Sequence, residues 1–354
     1  MKEISAKKWV CWSVGILFFL IAGMGFLTFL VDPYFHYHKP IAGMSYRLSE
    51  QRYINDGISR HFEYDAVITG NSLTENFKTS EFDDLFEAES IKIPYSGAGV
   101  KELWERLGRT LSYNPDVKKV LIVLDSEDVM REAQWTRYNE YPDYLYDDNV
   151  WNDVDYLFNK EVFYRGTLYN LLKTITGAES TSFDEYSSWE KETGKQKVVQ
   201  QLGVILRPEE VGNRPVSDGD IERMTENIQK NILEVVRQHP DIQFIMFFPP
   251  DSLAQWCKWY NAGEIEWRLA MLTMVMEQLL EEENIQLYGF YDCYEWTCNF
   301  DYYNDFIHYS SEINSKILEN ISKNEHRITK DNYKDYLNEI RDFYGNYDYL
   351  SLQS

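Results

Sequence analysis

Apolar residues follow three rhythms along this chain. From Trp9 to Val31 they run without a single charged residue. As a helix that run would extend ~34 Å, enough for a hydrocarbon core of ~30 Å. Beyond about residue 60, short apolar runs alternate with stretches whose apolar positions recur every three or four residues. Ala66-Val67-Ile68, Ser90–Tyr95, Val120–Leu124, Ile242–Phe248 and Ile285–Tyr291 read as strands. Val120–Leu124 is too uniformly apolar for a one-sided sheet. Between the strands, helices are predicted by Val100, Leu103, Leu107 and Leu111, stopping near Asn114-Pro115, and by Ile221, Met224, Ile228, Ile232 and Val235. Two more follow, over Ile265 to Leu280 and through Ile313, Ile317 and Ile321. Such alternation predicts an α/β domain, a parallel sheet with helices on both faces.

The third rhythm is its absence. From about Glu127 to Val216 the strand–helix pattern lapses, and Trp135, Tyr138, Tyr141, Tyr144, Tyr146, Trp151 and Tyr156 stand among acids. One helix is expected there, around Val162–Thr174. The stretch reads as an insertion over the active end of the sheet, and its aromatics would suit sugar rings or simply pack together. The predicted organisation is a tail (1–8), a spanning helix (9–31), a juxtamembrane segment (32–60) and a main domain (61–325). That domain carries the insertion (127–216) and is followed by a helical tail (326–354) marked by Tyr333, Leu337, Ile340 and Tyr344.

Charge orients the chain. Lys2, Lys7 and Lys8 precede the apolar run and Asp32 follows it, which predicts a cytoplasmic N-terminus with everything beyond outside. A cleaved signal peptide would have a shorter apolar region ending in small residues, whereas Phe26, Leu27, Phe29 and Leu30 fill that place. An uncleaved single-pass anchor in the cell membrane is therefore expected. The net charge of -23 argues against nucleic acid, which needs a basic face. Cys293 and Cys298 could close a small loop in an oxidising exterior, or, with Cys257, serve as buried thiols. No second cysteine or histidine stands near them at zinc spacing, so neither metal nor cofactor is expected. His36 and His38, flanked by Tyr34, Phe35 and Tyr37, read as a membrane-interface belt. The acidic run Asp143–Asp155 lacks calcium-loop spacing and reads as a solvated loop.

Candidate chemistry lies at two places. Asp65 to Ser72 reads Asp-Ala-Val-Ile-Thr-Gly-Asn-Ser, setting Ser72 just past a buried strand and beside Gly70, which permits a tight turn. Far downstream comes Asp305-Phe306-Ile307-His308. Free serine is a poor nucleophile, so an imidazole must take its proton and a carboxylate must hold that imidazole in one tautomer. The bland alternative is a helix-capping serine and a surface histidine. Asp301 could compete with Asp305 for the orienting role.

Gly70-Asn71-Ser72-Leu73 resembles the Gly-Asp-Ser-Leu block of the SGNH/GDSL hydrolase superfamily, with Asn for Asp, and Asp305 to His308 matches its Asp-x-x-His block. The Gly-x-Ser-x-Gly elbow of α/β-hydrolases is absent. The resemblance implies a flavodoxin-like three-layer fold, a Ser72 nucleophile, a His308 base and an Asp305 partner. It also implies oxyanion donors from the Ser72 N–H, a glycine after the second strand (Gly97 in preference to Gly99) and an asparagine after the third. Here the chain departs: Asp125-Ser126-Glu127-Asp128 follows Val120–Leu124, and an ionised Asp125 cannot donate. Asn71 is the candidate substitute. With a membrane anchor, the chain is similar to the tethered SGNH proteins of bacterial envelope acylation, such as the D-alanine-transfer protein of teichoic acid operons and exopolysaccharide O-acetyltransferases. That similarity implies an O-acyltransferase with an envelope glycan or teichoic acid acceptor and a multi-pass membrane partner that carries acyl groups outward. An esterase or deacetylase on the same substrates, or a non-catalytic subunit of such a complex, are the alternatives.

Overall fold

The computed structural model describes residues 5–138, 141–147, 149–189 and 192–353. They fall into two compact units: Met1–Phe62 with Glu140–Ser182, and Glu63–Asn139 with Phe183–Ser354. The stretch 127–216 is thus divided between them. Lys2, counted in the basic flank, lies outside the described residues.

In the first unit, helix α1 (Ala6–Val31) is long and apolar enough to cross a membrane. Most of its large side chains, Trp12 and Phe19 among them, are exposed, while Gly25, Thr28 and Val31 are buried at its far end. That end packs on Val154–Leu157 and the π-wound Val162–Leu168. The contact needs glycine, since a Cβ on Gly25 would come within 2.7 Å of the Phe158 ring and one on Gly166 within 2.8 Å of Pro33. The chain leaves α1 through Asp32, a buried carboxylate that accepts the N–H groups of His36, Tyr37 and His38 and the Tyr156 hydroxyl. One charge thereby satisfies four donors. His36 Nε2 and the Tyr37 hydroxyl meet Asp153 (3.1 and 3.0 Å), whereas His38 Nδ1 meets the Lys39 carbonyl (2.8 Å), so the two histidines serve different partners. Helix α2 (Gln51–His61) occupies part of the juxtamembrane segment, where the pattern marks no helix.

The second unit is built on a six-stranded sheet: β1 (Ala66–Gly70), β2 (Ser90–Pro94), β3 (Lys119–Val123), β4 (Gln243–Phe248), β5 (Ile285–Gly289) and β6 (Arg327–Ile328), ordered β2-β1-β3-β4-β5-β6. The first five run parallel and β6 is antiparallel to β5. Five strands lie within a residue or two of the apolar runs, because side chains buried on both faces leave little room for polar residues. Pro94, which cannot donate to a ladder, ends an edge strand.

The chain runs from β1 outward to β2, then back past β1 to β3. Right-handed crossovers place the two connecting helices on opposite faces. Accordingly α3 (Thr79–Phe86) packs with the late helix Ser311–Ser322, while α4 (Val100–Tyr113) packs with the π-wound Ile228–Leu233. The latter continues α5 (Asp218–Asn227). Next come α6 (Leu253–Asn261), not foreseen from the pattern, α7 (Ile265–Leu279), α8 (Ser311–Ser322) and α9 (Tyr333–Gly345), which packs on α7. The reversal beside β1 opens a crevice at the carboxyl ends of the strands, where open α/β sheets hold ligands. Cys293 and Cys298 carry free thiols, as does buried Cys257.

Candidate active site

Ser72 stands at that reversal. Gly70 adopts φ 147°, and a Cβ there would lie 2.6 Å from Thr74 Cγ2 and 2.8 Å from Val123 Cγ1. Only glycine lets the chain turn so tightly off β1. Asn71 then caps the 3-10 turn Ser72–Thr74, its Oδ1 accepting from Leu73 N at 3.0 Å. Two residues buried elsewhere hold the turn. Lys92 on β2 donates to the carbonyls of Glu75 (2.7 Å) and Phe77 (2.9 Å), and Asn314 on α8 donates to that of Leu73 (3.0 Å). Burial pulls the Lys92 ammonium down to about 8. Neither residue carries a sequence signal beyond being polar within an apolar run.

The second half of the site is a small closed loop. Tyr303 and Tyr309 form an antiparallel bridge, Asn304 N donates to the His308 carbonyl (2.9 Å), and the Ser252 hydroxyl, beyond β4, donates to the Phe306 carbonyl (2.6 Å). Inside it, Asp305 Oδ1 accepts from Ile307 N (3.0 Å) and His308 N (2.8 Å), leaving Oδ2 for His308 Nδ1 at 2.8 Å. His308 Nε2 lies 2.8 Å from Ser72 Oγ. Burial would raise the Asp305 carboxyl, but its bonds to the His308 ring and to backbone N–H groups outweigh that and hold it at about 2. Asp305 is therefore ionised and can only accept, so Nδ1 carries the proton and Nε2 faces the serine hydroxyl as an acceptor. Asp301 accepts instead from Lys195 N (3.2 Å). Trp189, its N–H bonded to Asn76 (2.9 Å), stands edge-on to the His308 ring at 5.7 Å.

Gly97 follows β2, the strand paired with β1, and adopts φ 67°; a Cβ there would press on Arg137 Nη1 at 3.1 Å and Tyr138 Oη at 3.2 Å. Gly99 instead precedes α4 under the Trp135 ring. Asp125, standing where the resemblance calls for asparagine, caps Ser126–Val129 by accepting from Glu127 N (3.0 Å) and takes an N–H of the Asn71 amide (3.1 Å). One of the two Asn71 donors is thus committed to Asp125.

Beside His308 opens a cavity of about 290 Å³ lined by the carboxylates Asp125, Glu127, Asp251 and Asp305, with Lys258 and Trp259 on its wall. Burial, with Glu127 nearby, pushes Asp125 upward; burial and Asp125 push Asp128 up to about 8; and buried Asp251 lies well above the carboxylate range. Glu127, like Asp305, is held low despite burial, here by Arg268 (3.3 Å) and Lys258 (3.5 Å). No pattern in the sequence marked Asp251, which lies in the chain after β4.

No protein-family model matches the chain, and no curated protein matches it. A solved structure described as "a putative platelet activating factor from Streptococcus pneumonia" is similar at 12% identity with a TM-score of 0.40, over 77% of this chain and 91% of that one. At that score the likeness is too loose to bear on chemistry.

Proposed function

We propose that this chain is a membrane-tethered serine acyltransferase of SGNH type, acting outside the cell on an envelope glycan. The single observation that carries the reading is the 2.8 Å approach of Ser72 Oγ to His308 Nε2, with Asp305 on the other ring nitrogen. The strand order of β1 to β5 is the flavodoxin-like 2-1-3-4-5, which supports the resemblance carried by Gly70 to Leu73 and Asp305 to His308.

In this reading Ser72 Oγ attacks the carbonyl carbon of an acyl donor as its proton passes to His308 Nε2. The oxyanion is met by the N–H groups of Ser72 and Gly97, with the free N–H of Asn71 in reserve; each such donor typically lowers the barrier by ~3–4 kcal/mol. Collapse breaks the bond to the leaving group, which takes the proton from Nε2. A sugar hydroxyl then attacks acyl-Ser72, gives its proton to His308, and leaves as the ester while Ser72 recovers its own. With water as the acceptor the same steps make an esterase. The ionised carboxylates of Glu127 and Asp305 on the cavity wall favour a neutral glycan over an anionic polymer.

A strain carrying Ser72→Ala should lose glycan-linked esters at its surface while the protein stays at normal abundance; unchanged ester content would end the proposal. Supplying wild-type protein with an acyl donor, with and without glycan, separates transfer from hydrolysis.

A further inference from the structure

Strand β6 is only two residues long, yet it carries the chain back to the carboxyl end of β5. Its pairs are Leu287 with Ile328 and Tyr288 with Arg327, and Gly289 N donates to the His326 carbonyl at 3.1 Å. His326 is thereby set against the turn that follows β5, which contains Asp292 and Cys293. Three donor atoms of different chemistry converge there. Asp292 Oδ1 lies 3.0 Å from His326 Nδ1, and Cys293 Sγ lies 3.9 Å from each of them and 3.6 Å from His326 Nε2. A triangle of those sides has its centre about 2.1 Å from every corner, against Zn–N and Zn–O bonds of ~2.0–2.2 Å and Zn–S of ~2.3 Å.

We propose that Asp292, Cys293 and His326 form a divalent transition-metal site, suited to zinc, that ties β6 to the end of β5. One thiolate, one imidazole and one carboxylate make a borderline-soft donor set, which favours zinc or cobalt over calcium or magnesium. Cys293 is 6% exposed and closes the inner side. The Asp292 and His326 side chains are 18% and 27% exposed, leaving an outer position for a water ligand. On binding, the Cys293 thiol gives its proton to solvent, and the imidazole binds through Nδ1 with its proton on Nε2. The Asp292–His326 bond is what holds these two donors together before the ion arrives. None of the three residues lines the cavity beside His308, so the site is separate from the acyl chemistry. The sequence hid it because His326 lies far beyond Asp292-Cys293, outside any ligand-spacing pattern.

The test uses the full-length protein in detergent, stripped with a chelator and dialysed. Cobalt(II) should bind with one-to-one stoichiometry and give a thiolate-to-cobalt charge-transfer absorption that zinc abolishes. Cys293→Ser should lose that absorption, and His326→Gln, at a partly exposed position, should weaken zinc binding by about a hundredfold, since even outer partners of metal ligands are worth 10–100-fold. Zinc should also raise the thermal midpoint of wild type and raise that of His326→Gln by much less. Absence of the cobalt–thiolate absorption in folded wild-type protein would overturn the proposal. Equal zinc affinity in wild type and His326→Gln would do the same.

Discussion

Asp305 and Asp301 bracket the same tyrosines, yet only Asp305 meets the His308 ring. Asp305→Asn should leave the fold intact and slow acylation of Ser72 by roughly 10³–10⁴, because an amide no longer fixes the tautomer that aims a lone pair at the hydroxyl. Asp301→Asn should react at the wild-type rate; time-resolved labelling of Ser72 compares the two. The same carboxylate has a signature in stability. Its folded value near 2 lies below the ordinary 3.8, so its contribution is complete above pH 4 and is lost as pH falls through about 2. Urea unfolding between pH 2 and 4 should therefore fall more steeply in wild type than in Asp305→Asn. Lys92 acts at one remove, through two carbonyls of the Ser72 turn. Lys92→Met should leave those acceptors unpaired at a cost of ~1–3 kcal/mol each and slow Ser72 labelling without altering substrate affinity.

At the scale of elements, what the sequence disclosed depended on how many neighbours a segment buries against. The runs Val120–Leu124 and Ile242–Phe248 were legible because strands covered on both faces must be apolar. Strand β6 was not, since Arg327–Ile328 is too short for any periodicity and is recruited by the exposed edge of β5. Helix α2 was hidden by its polar residues and by Gly57, a poor helix former placed where a Cβ would strike the Tyr34 carbonyl. In the site, Ser72, Asp305 and His308 were readable because they sit in short motifs. Lys92, Asn314, Trp189 and Asp251 are brought in by tertiary packing and left no local trace. Helix α1 also does more than its composition implies. Gly25, Thr28 and Val31 are buried against Phe158 and the Val162–Leu168 segment, so deleting residues 1–31 should destabilise the first unit. Limited proteolysis should then cut within 140–182 faster than in the full-length chain.

For the molecule as a whole, the buried acids beside the site oppose stability as pH rises. Asp128 is paired with Arg131 at 3.0 Å, but that arginine is 42% exposed and its charge is screened, so burial and Asp125 prevail and hold Asp128 up at about 8. Between the ordinary carboxylate value and about 8 the folded protein keeps a proton that the unfolded chain releases, and stability falls across that window. Asp128→Asn should raise the thermal midpoint at pH 8 and leave it unchanged at pH 4, as scanning calorimetry would record. Activation of Ser72 by His308 underlies every chemical step, and a fluorophosphonate reads it out. Full-length folded protein should take up one adduct, located at Ser72 by peptide mass analysis and absent in Ser72→Ala and His308→Ala. Folded wild-type protein that stays unlabelled, or is labelled at another residue, would contradict it.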